Sequence, residues 1–384
     1  MKNTLTAGAA LLLTTSIASA GGVERAAPSA ALLFEEGNYL ELNFGYVSPE
    51  VSGTQAFTAG ASSLAGASTG DMAEDYVQLG FGYKNDLNDK MSLAIIFDQP
   101  YGADVNYADD TAYAYGGGLP DFGPIGSTAT IDSNAVTVLV SYEVRDNVTV
   151  YGGGRAVQTA GEVALFNTYT METSTETDFG YVVGAAWERP DIAARVSLTY
   201  HSEITHDFDS TEAYPAESIP ETERSFSTTL PQSITLEGQT GIAADTLLFG
   251  SVRWVDWTAF DITPPIFALG GSSLVDYSDD SVTYNLGVGR RFNDEWSGAV
   301  TAGYEAAQGG FSGNLGPTDG NKSLGVAVTR TMDALRITGG VRYIWIGDAE
   351  TEAPGAFPVP PGTTLGEFED NSGWAAGVRI AYNF

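Results

Sequence analysis

Residues 374–384, WAAGVRIAYNF, alternate between large apolar side chains and small or polar ones. Trp374 and Val378 fall on one side of an extended chain, while Gly377 and Arg379 fall on the other. Successive side chains of a β-strand point to opposite faces, so this pattern predicts a strand with one apolar face. The same two-residue period recurs along most of the chain.

Fourteen segments share this alternation, and the connections between them sort by length. The segments lie near 39–48, 74–84, 90–107, 129–144, 148–166, 178–187, 192–206, 233–242, 247–260, 282–291, 296–306, 322–330, 335–346 and 373–384. Connections after even-numbered segments are tight, whereas those after odd-numbered segments are long. An even strand number with short turns at one end and long loops at the other is typical of an outer-membrane barrel. The predicted fold is all-β, a transmembrane antiparallel β-barrel of 14 strands; a soluble β-sandwich is the alternative.

The composition excludes several classes of function. The chain carries 17 Lys+Arg against 49 Asp+Glu, a formal net charge of −32 at pH 7. Nucleic acid is excluded as a partner because phosphate binding needs a basic surface. Cysteine is absent and only two histidines occur, so thiolate chemistry and disulfides are excluded and a histidine metal site has little basis. No catalytic triad spacing or phosphate loop stands out, and the sequence predicts no enzyme, no cofactor and no metal.

The first 20 residues have the features of a secretory signal peptide. Lys2 gives a basic start, an apolar run covers 7–17, and residues 18–20 (ASA) form a small-x-small cleavage pattern. An exported chain without cysteine fits the envelope of a Gram-negative bacterium, so we expect it in the cell outer membrane. Phe384, at the end of an alternating strand, resembles the signal read by barrel assembly machinery. That machinery, outer-membrane lipid and lipopolysaccharide are the expected partners.

Several segments resemble those of the FadL/TodX family of outer-membrane transporters for long-chain fatty acids and other hydrophobic compounds. The motifs that carry the resemblance are 37–49 (GNYLELNFGYVSP), 89–102 (DKMSLAIIFDQPYG), 198–203 (LTYHSE), and 230–233 (LPQS) followed by 252–257 (VRWVDW). They are similar to the family's opening strand, its third strand with the bend after it, its "TYRS" strand and its "LP…W..W" pair. The resemblance covers nearly all of residues 37–384 and implies a fourteen-stranded barrel.

The resemblance also implies an N-terminal plug inside the barrel. The family's plug is usually longer and carries an Asn-Pro-Ala-like motif, which is missing here. The expected domains are therefore a signal peptide over residues 1–20, a short plug segment over 21–36 and the barrel over 37–384.

Six arginines are candidates for substrate binding, because alternation places them on the face opposite the apolar one. They are Arg155, Arg195, Arg253, Arg336, Arg342 and Arg379. Arg155 belongs to this set provided that the glycines at 152–154 cause no register slip. A guanidinium binds a carboxylate through a two-pronged, charge-assisted hydrogen bond, so a fatty-acid head group is a suitable ligand. The alternative is that the arginines pair with lumen acids such as Glu41 and Asp98.

Pro100 and Gly102 interrupt the third predicted strand. Proline cannot donate to the strand ladder, and glycine tolerates a bend. In the resembled family a kink in this strand opens a lateral gap, which makes Pro100 and Gly102 a candidate lateral gate for hydrophobic substrates. The alternative is that the strand simply ends here and a loop begins.

The segments between strands are strongly acidic. Residues 207–232 and 347–372 carry six acids each and are predicted to be solvated loops. Tryptophans near strand ends are predicted to form aromatic belts at the membrane interface, with a ligand cage as the alternative; they are Trp187, Trp254, Trp257, Trp345 and Trp374.

The predicted function is passive uptake of hydrophobic compounds, with long-chain fatty acids as the leading substrate. Diffusion through the barrel lumen would need no energy source. Two other functions stay open at this point: a general porin for small polar solutes, and a structural or surface-interaction barrel with acidic extracellular loops.

Overall fold

The computed structural model describes residues 23–58, 63–117, 126–355, 357 and 359–384. The predicted signal peptide, residues 1–20, lies outside these described residues. Fourteen strands form one wall: β1 Tyr39–Glu50, β2 Tyr76–Asn88, β3 Met91–Asp98 continued by Gly102–Asn106, β4 Thr128–Arg145, β5 Val148–Ala164, β6 Glu176–Arg189, β7 Ala194–His201, β8 Ser233–Ala243, β9 Thr246–Val255, β10 Ser281–Arg291, β11 Trp296–Glu305, β12 Asn321–Met332, β13 Leu335–Ile346 and β14 Ser372–Asn383.

The sheet closes on itself because its first and last strands pair. β1 is antiparallel to both β2 and β14, with Tyr39 opposite Asn383 and Glu50 opposite Ser372. Closure pairs the backbone groups of β1 and β14 that would otherwise face lipid. The predicted all-β, fourteen-stranded barrel is confirmed, and the sandwich alternative is wrong.

The two faces of the wall follow the two-residue period of the sequence. In β14, Trp374 and Tyr382 point outward and are 56% and 47% exposed, whereas Arg379 and Ala381 point inward and are 5% and 2% exposed. An apolar outer face is what lipid requires, because a charged side chain there costs about 2–4 kcal/mol at the membrane midplane.

The two ends of the barrel differ in the length of their connections. Tight turns join β2 to β3 and each later even-numbered strand to the next, at the end that holds Tyr39 and Asn383. Long connections occupy the other end. Short turns face the periplasm in this class of barrel, so the long connections are extracellular.

The prediction that residues 207–232 form a solvated loop is wrong. Ile204–Tyr214 and Ile219–Leu230 form an antiparallel hairpin that continues β7 and β8 beyond the membrane. Its inward positions are buried, including Phe208 at 5% exposure, while its acids Asp207 and Asp209 point outward. A two-residue alternation with aspartate on the outer face produces this arrangement, because the outer face meets water here instead of lipid.

The other extracellular connections pack together as a cap. Short strands at Thr54–Gln55, Phe311–Ser312, Ala349–Glu352 and Thr364–Phe368 form a small sheet, and Thr170–Thr173, Asp261–Ile262 and Val275–Asp276 add short pairings. Aromatic side chains such as Tyr107, Tyr113 and Phe368 are buried within the cap.

Among the residues that the structure describes, the helical elements are single 3-10 turns at Ala31–Phe34, Pro190–Ile192, Pro215–Glu217, Trp257–Ala259 and Phe267–Gly270. Within the described ranges, no helix has the length and apolar character needed to span a membrane.

Residues 23–36, named here the N-terminal segment, run inside the barrel. The 3-10 turn Ala31–Phe34 contacts β2 and β3, and the ring of Phe34 packs edge-on against inward-facing Tyr151 at 5.8 Å between centroids. The side chain of Leu32 lies against Gly82, which leaves room for it by lacking a Cβ. The segment therefore occupies part of the lumen.

The wall has a gap between β2 and β3. The ladder between them runs from Asn88–Met91 only as far as Phe81–Phe97. β3 breaks at residues 99–101 and resumes at Gly102–Asn106, where it pairs with β4. The third strand is thus interrupted and not ended. Pairing with the chain that leads into β2 resumes at the Ala73–Val105 bridge.

Candidate functional site

A cavity of about 700 Å³ lies between the extracellular cap and the N-terminal segment. The hairpin found in place of the predicted loop supplies much of its apolar wall. Phe208 and Phe226 face each other across this hairpin with ring centroids 5.7 Å apart, and both line the cavity. Val105, Met171 and Phe260 add further apolar surface. A concave site of this size and lining can enclose a small hydrophobic molecule.

An aromatic cluster stands beside the cavity. Trp257 packs edge-on against Tyr101 at 6.4 Å, Phe260 at 5.8 Å and Tyr277 at 5.3 Å. Trp257 is 1% exposed, so its assignment to a membrane-interface belt is wrong: the chain turns inward after β9 and carries this ring with it. Burial, with a smaller contribution from Asp276, raises the pKa of Tyr277, which lines the cavity as an uncharged phenol.

The cavity is acidic. Arg25 is the only Lys or Arg among the described residues that line it. Its guanidinium lies 2.5 Å from Asp104 and 4.2 Å from the centre of the Tyr76 ring. The acidic residues among those that line it are Glu74, Asp104, Glu162, Asp276, Asp319 and Glu352. A negatively charged ligand would therefore enter a site in which negative charge is in excess.

Arg253 is buried and bound to the N-terminal segment. Its guanidinium donates to both carboxylate oxygens of Glu24, at 2.6 and 3.2 Å, and to the hydroxyls of Ser233 and Thr235. Glu24 and Arg253 are 4% and 5% exposed. Paired and hydrogen-bonded in this way, the two charges hold the segment against the wall.

Arg155 and Arg379 pair with acids of the wall. Arg155 donates to both oxygens of Asp98, at 2.8 and 3.3 Å, and to Thr137. The strand register through residues 152–154 is continuous, so Arg155 faces the lumen. Arg379 donates to Asn43 at 2.9 Å and lies 3.5 Å from Glu41.

The remaining three candidates also face the lumen. Arg195 stacks over the ring of Phe34 at 4.5 Å, and Arg336 pairs with Glu35 at 2.7 Å. Arg342 faces inward from β13 and is 7% exposed. None of the six predicted arginines is among the described residues that line the cavity.

The N-terminal segment also seals the interrupted strand. Pro100 O accepts hydrogen bonds from the backbone N–H groups of Arg25 and Ala26, at 2.8 and 3.1 Å, and Gly102 N–H donates to Val23 O at 2.9 Å. A Cβ at Gly102 would lie only 2.5 Å from Arg25 Cζ, so glycine leaves room for the guanidinium in this position.

The wall gap itself is spanned by a side chain. Gln99 Oε1 accepts a hydrogen bond from Leu79 N–H at 2.9 Å, where a ladder partner is missing. Sequence reasoning missed Gln99, Glu24 and Arg25. The available signal for Arg25 was that it is the only basic residue between 21 and 36.

Comparison with known proteins agrees with this architecture. A family model described as outer membrane protein transport protein (OMPP1/FadL/TodX) matches residues 3–309. No curated protein matches the sequence significantly. A solved FadL homologue of Pseudomonas aeruginosa has a TM-score of 0.71 at 14% identity, with 92% of each chain covered.

Two toluene transporters share the fold at similarly low identity. TodX of Pseudomonas putida gives a TM-score of 0.64 at 12% identity, covering 97% of this chain and 99% of that one. TbuX of Ralstonia pickettii gives 0.59 at 12% identity, covering 97% and 98%. The chain belongs to the OMPP1/FadL/TodX family, whose members are outer-membrane β-barrels of Gram-negative bacteria that serve as channels for hydrophobic compounds and not as enzymes.

Proposed function

We propose that this barrel takes up hydrophobic compounds through the cavity and releases them sideways through the wall gap. The main support for this proposal is that the cavity extends to the wall gap. Residues on both edges of the gap line the cavity: Tyr76 on one edge, and Tyr101, Gly102 and Asp104 on the other. A molecule bound there is separated from the membrane interior mainly by the side chains of Arg25 and Gln99. Pro100 and Gly102 are then the lateral gate, because the interruption that they cause removes the ladder.

The preferred substrate is uncharged. The cavity walls are apolar and aromatic, and its single arginine already faces Asp104. Transfer of apolar surface from water contributes about 25 cal/mol per Å², which drives entry without an energy source. A carboxylate would add its charge to a site that already has an excess of negative groups.

Long-chain fatty acids are the second candidate, favoured by the position of Arg25 at the base of the cavity. A fatty-acid carboxylate would have to replace Asp104 as the ion-pair partner of Arg25. A substrate that passes from the cavity toward the periplasm would meet the other candidate arginines, which are Arg155, Arg195, Arg253, Arg336, Arg342 and Arg379. Arg253 would bind it only after Glu24 has left the ion pair.

The proposed sequence has three steps. The substrate partitions from the extracellular cap into the cavity. Its binding displaces Arg25 from the space beside Gly102, which frees the lower edge of the gap. The substrate then diffuses directly from the cavity into the outer leaflet, so its apolar surface does not cross water on the way.

The test compares oleyl alcohol with oleate, which share one chain and differ in charge. We expect calorimetry on detergent-purified protein to show saturable binding of oleyl alcohol, about tenfold tighter than that of oleate, a difference of about 1.4 kcal/mol. Tighter binding of oleate would favour the fatty-acid candidate. No binding of either, together with steady ion conductance, would indicate a porin, and neither signal would indicate a surface-interaction barrel.

A matched pair of glycines locates the binding site. Gly313 lines the cavity, and a Cβ atom built there meets nothing within 4 Å, so we expect Gly313→Trp to fill the cavity and abolish binding. Gly339 has equally open surroundings in β13, and we expect Gly339→Trp to bind as the unmodified protein does. Equal binding by both variants would exclude this cavity as the site.

A further inference from the structure

Two arginines and two aromatic rings form a patch on the outer face of the barrel. Arg290 is the last residue but one of β10, Phe292 comes directly after that strand, Trp296 begins β11 and Arg330 lies in β12. All four side chains are exposed, with Phe292 62% and Trp296 41% exposed. Gly298 lies between them. These five residues, named here the arginine–tryptophan patch, lie at the end of the barrel that carries the tight turns.

The patch is held together by specific contacts. The guanidinium of Arg330 lies over the Trp296 ring, with Cζ 5.5 Å from the ring centre. Phe292 N–H donates to Trp296 O at 2.8 Å, which brings its ring beside Gly298, where a Cβ would lie 3.1 Å from the ring. Arg330 is therefore oriented by an aromatic face, and the ring of Phe292 is fixed next to it.

Arg290 has no counter-charge in the described part of the chain. Its sequence neighbour Arg291 shows the contrast, because Arg291 points inward and pairs with Asp245. Arg330 has only a long contact with Glu295, at 3.8 Å, and both side chains are at least half exposed. Such an exposed pair contributes little. Two guanidinium groups are thus available to an external anion.

The register places the two arginines diagonally on either side of β11. Gly298 is opposite Arg290 on one side and Val328 on the other, while Trp296 is opposite Arg330. The arginines are therefore two strands apart and two residues apart along the strands, about 12 Å in all, and the ring of Phe292 covers Gly298 between them. Arginine side chains are long enough for both to reach an anion placed between them at the outer edge of the Phe292 ring.

The surface beside the patch is suited to acyl chains. Toward the membrane centre the outward residues of the same three strands are Val288, Val300 and Val326, which are 42%, 52% and 46% exposed. An anion held by the arginines can therefore carry hydrocarbon chains that lie along the valines. Aromatic rings at this level are typical of the membrane interface.

We propose that the arginine–tryptophan patch binds a glycerophospholipid of the periplasmic leaflet through its phosphate. Guanidinium groups bind phosphate through paired, charge-assisted hydrogen bonds, and two of them lie within reach of one phosphate here. The leaflet follows from the patch's position at the end with the tight turns, opposite the extracellular cap. The cost of outward arginines is small at the interface compared with the membrane midplane, and a bound phosphate offsets it.

The test titrates phosphatidylglycerol onto delipidated protein and follows the first bound lipid by native mass spectrometry. We expect Arg290→Gln/Arg330→Gln to weaken binding about tenfold relative to the unmodified protein, because both guanidiniums are lost. The matched control is Arg145→Gln/Arg189→Gln, which removes two cations from tight turns at the same end. The control should bind as the unmodified protein does.

Three further measurements test whether the bound molecule is a phospholipid held by its phosphate. Diacylglycerol with the same acyl chains lacks the phosphate and should bind equally weakly to all variants. Inorganic phosphate should not displace the lipid; if it does so at millimolar concentration, the site is for a free anion and the proposal fails. Arg290→Lys/Arg330→Lys keeps both positive charges, so it should bind phosphatidylglycerol more tightly than the glutamine variant does. It also provides a test if the glutamine variant does not fold. Equal weakening in the glutamine variant and the turn control would also overturn the proposal.

Discussion

Replacing Arg253 by glutamine is expected to release the start of the N-terminal segment from the barrel wall. Arg253 is bound to both carboxylate oxygens of Glu24, and both residues are at most 5% exposed. Removing one partner of a buried ion pair leaves an uncompensated charge, which costs about 3–5 kcal/mol. Glu24 can avoid that cost by leaving the lumen for water, and the residues beside it would then detach as well.

The detachment can be measured at three amide protons. Arg25 and Ala26 donate to Pro100 O, and Gly102 donates to Val23 O. In Arg253→Gln these protons should exchange with solvent at least about a hundredfold faster, which corresponds to about 3 kcal/mol. Because Arg25 leaves with the segment, ion conductance through the barrel in planar bilayers should rise at the same time.

Arg155→Gln is the control for a general effect of removing a lumen charge. Arg155 pairs with Asp98, and both residues belong to the wall. This variant should leave the exchange of the Gly102 amide unchanged. Glu24→Gln/Arg253→Gln should recover much of the lost protection, because it removes both charges. Unchanged protection in Arg253→Gln would mean that the ion pair does not hold the segment.

The barrel could be predicted from the sequence because lipid imposes a simple rule on its outer face. Every second residue of β14 must be apolar, and Trp374, Val378 and Tyr382 follow that rule without exception. The same rule fails where a strand leaves the membrane. Asp207 and Asp209 occupy the outward positions of the extracellular hairpin, and their charge disguises a regular strand as a loop.

The site was less predictable because its contacts join distant parts of the chain. Glu24 and Arg253 are 229 residues apart, and nothing in either neighbourhood indicates the other. Alternation correctly places the arginines in the lumen, but it carries no information about which acid each one meets. Trp257 shows the same limit, since its place beside Tyr101 depends on how the chain turns after β9.

Gly153→Ala is expected to destabilise the barrel, although it adds a single methyl group. A Cβ at Gly153 would overlap the carbonyl oxygen of Val138 and lie 3.0 Å from the Cα atom of Leu139, both in the adjacent strand β4. Backbone atoms cannot rotate away as a side chain can, so β4 and β5 would have to separate locally. Overpacking of this kind costs about 1–3 kcal/mol. Urea unfolding of the protein in lipid vesicles, followed by tryptophan fluorescence, measures the change.

The next residue along the strand supplies the control with the opposite sign. Gly154 points outward, and a Cβ there meets nothing within 4 Å. Glycine in a strand is less stable than alanine by about 0.5–1 kcal/mol, so Gly154→Ala should stabilise the barrel by up to that amount. Two identical substitutions at adjacent positions therefore separate the effect of close strand packing from that of chain entropy. A loss of stability of similar size in both variants would show that this stretch depends on flexible glycine and not on the approach of Val138.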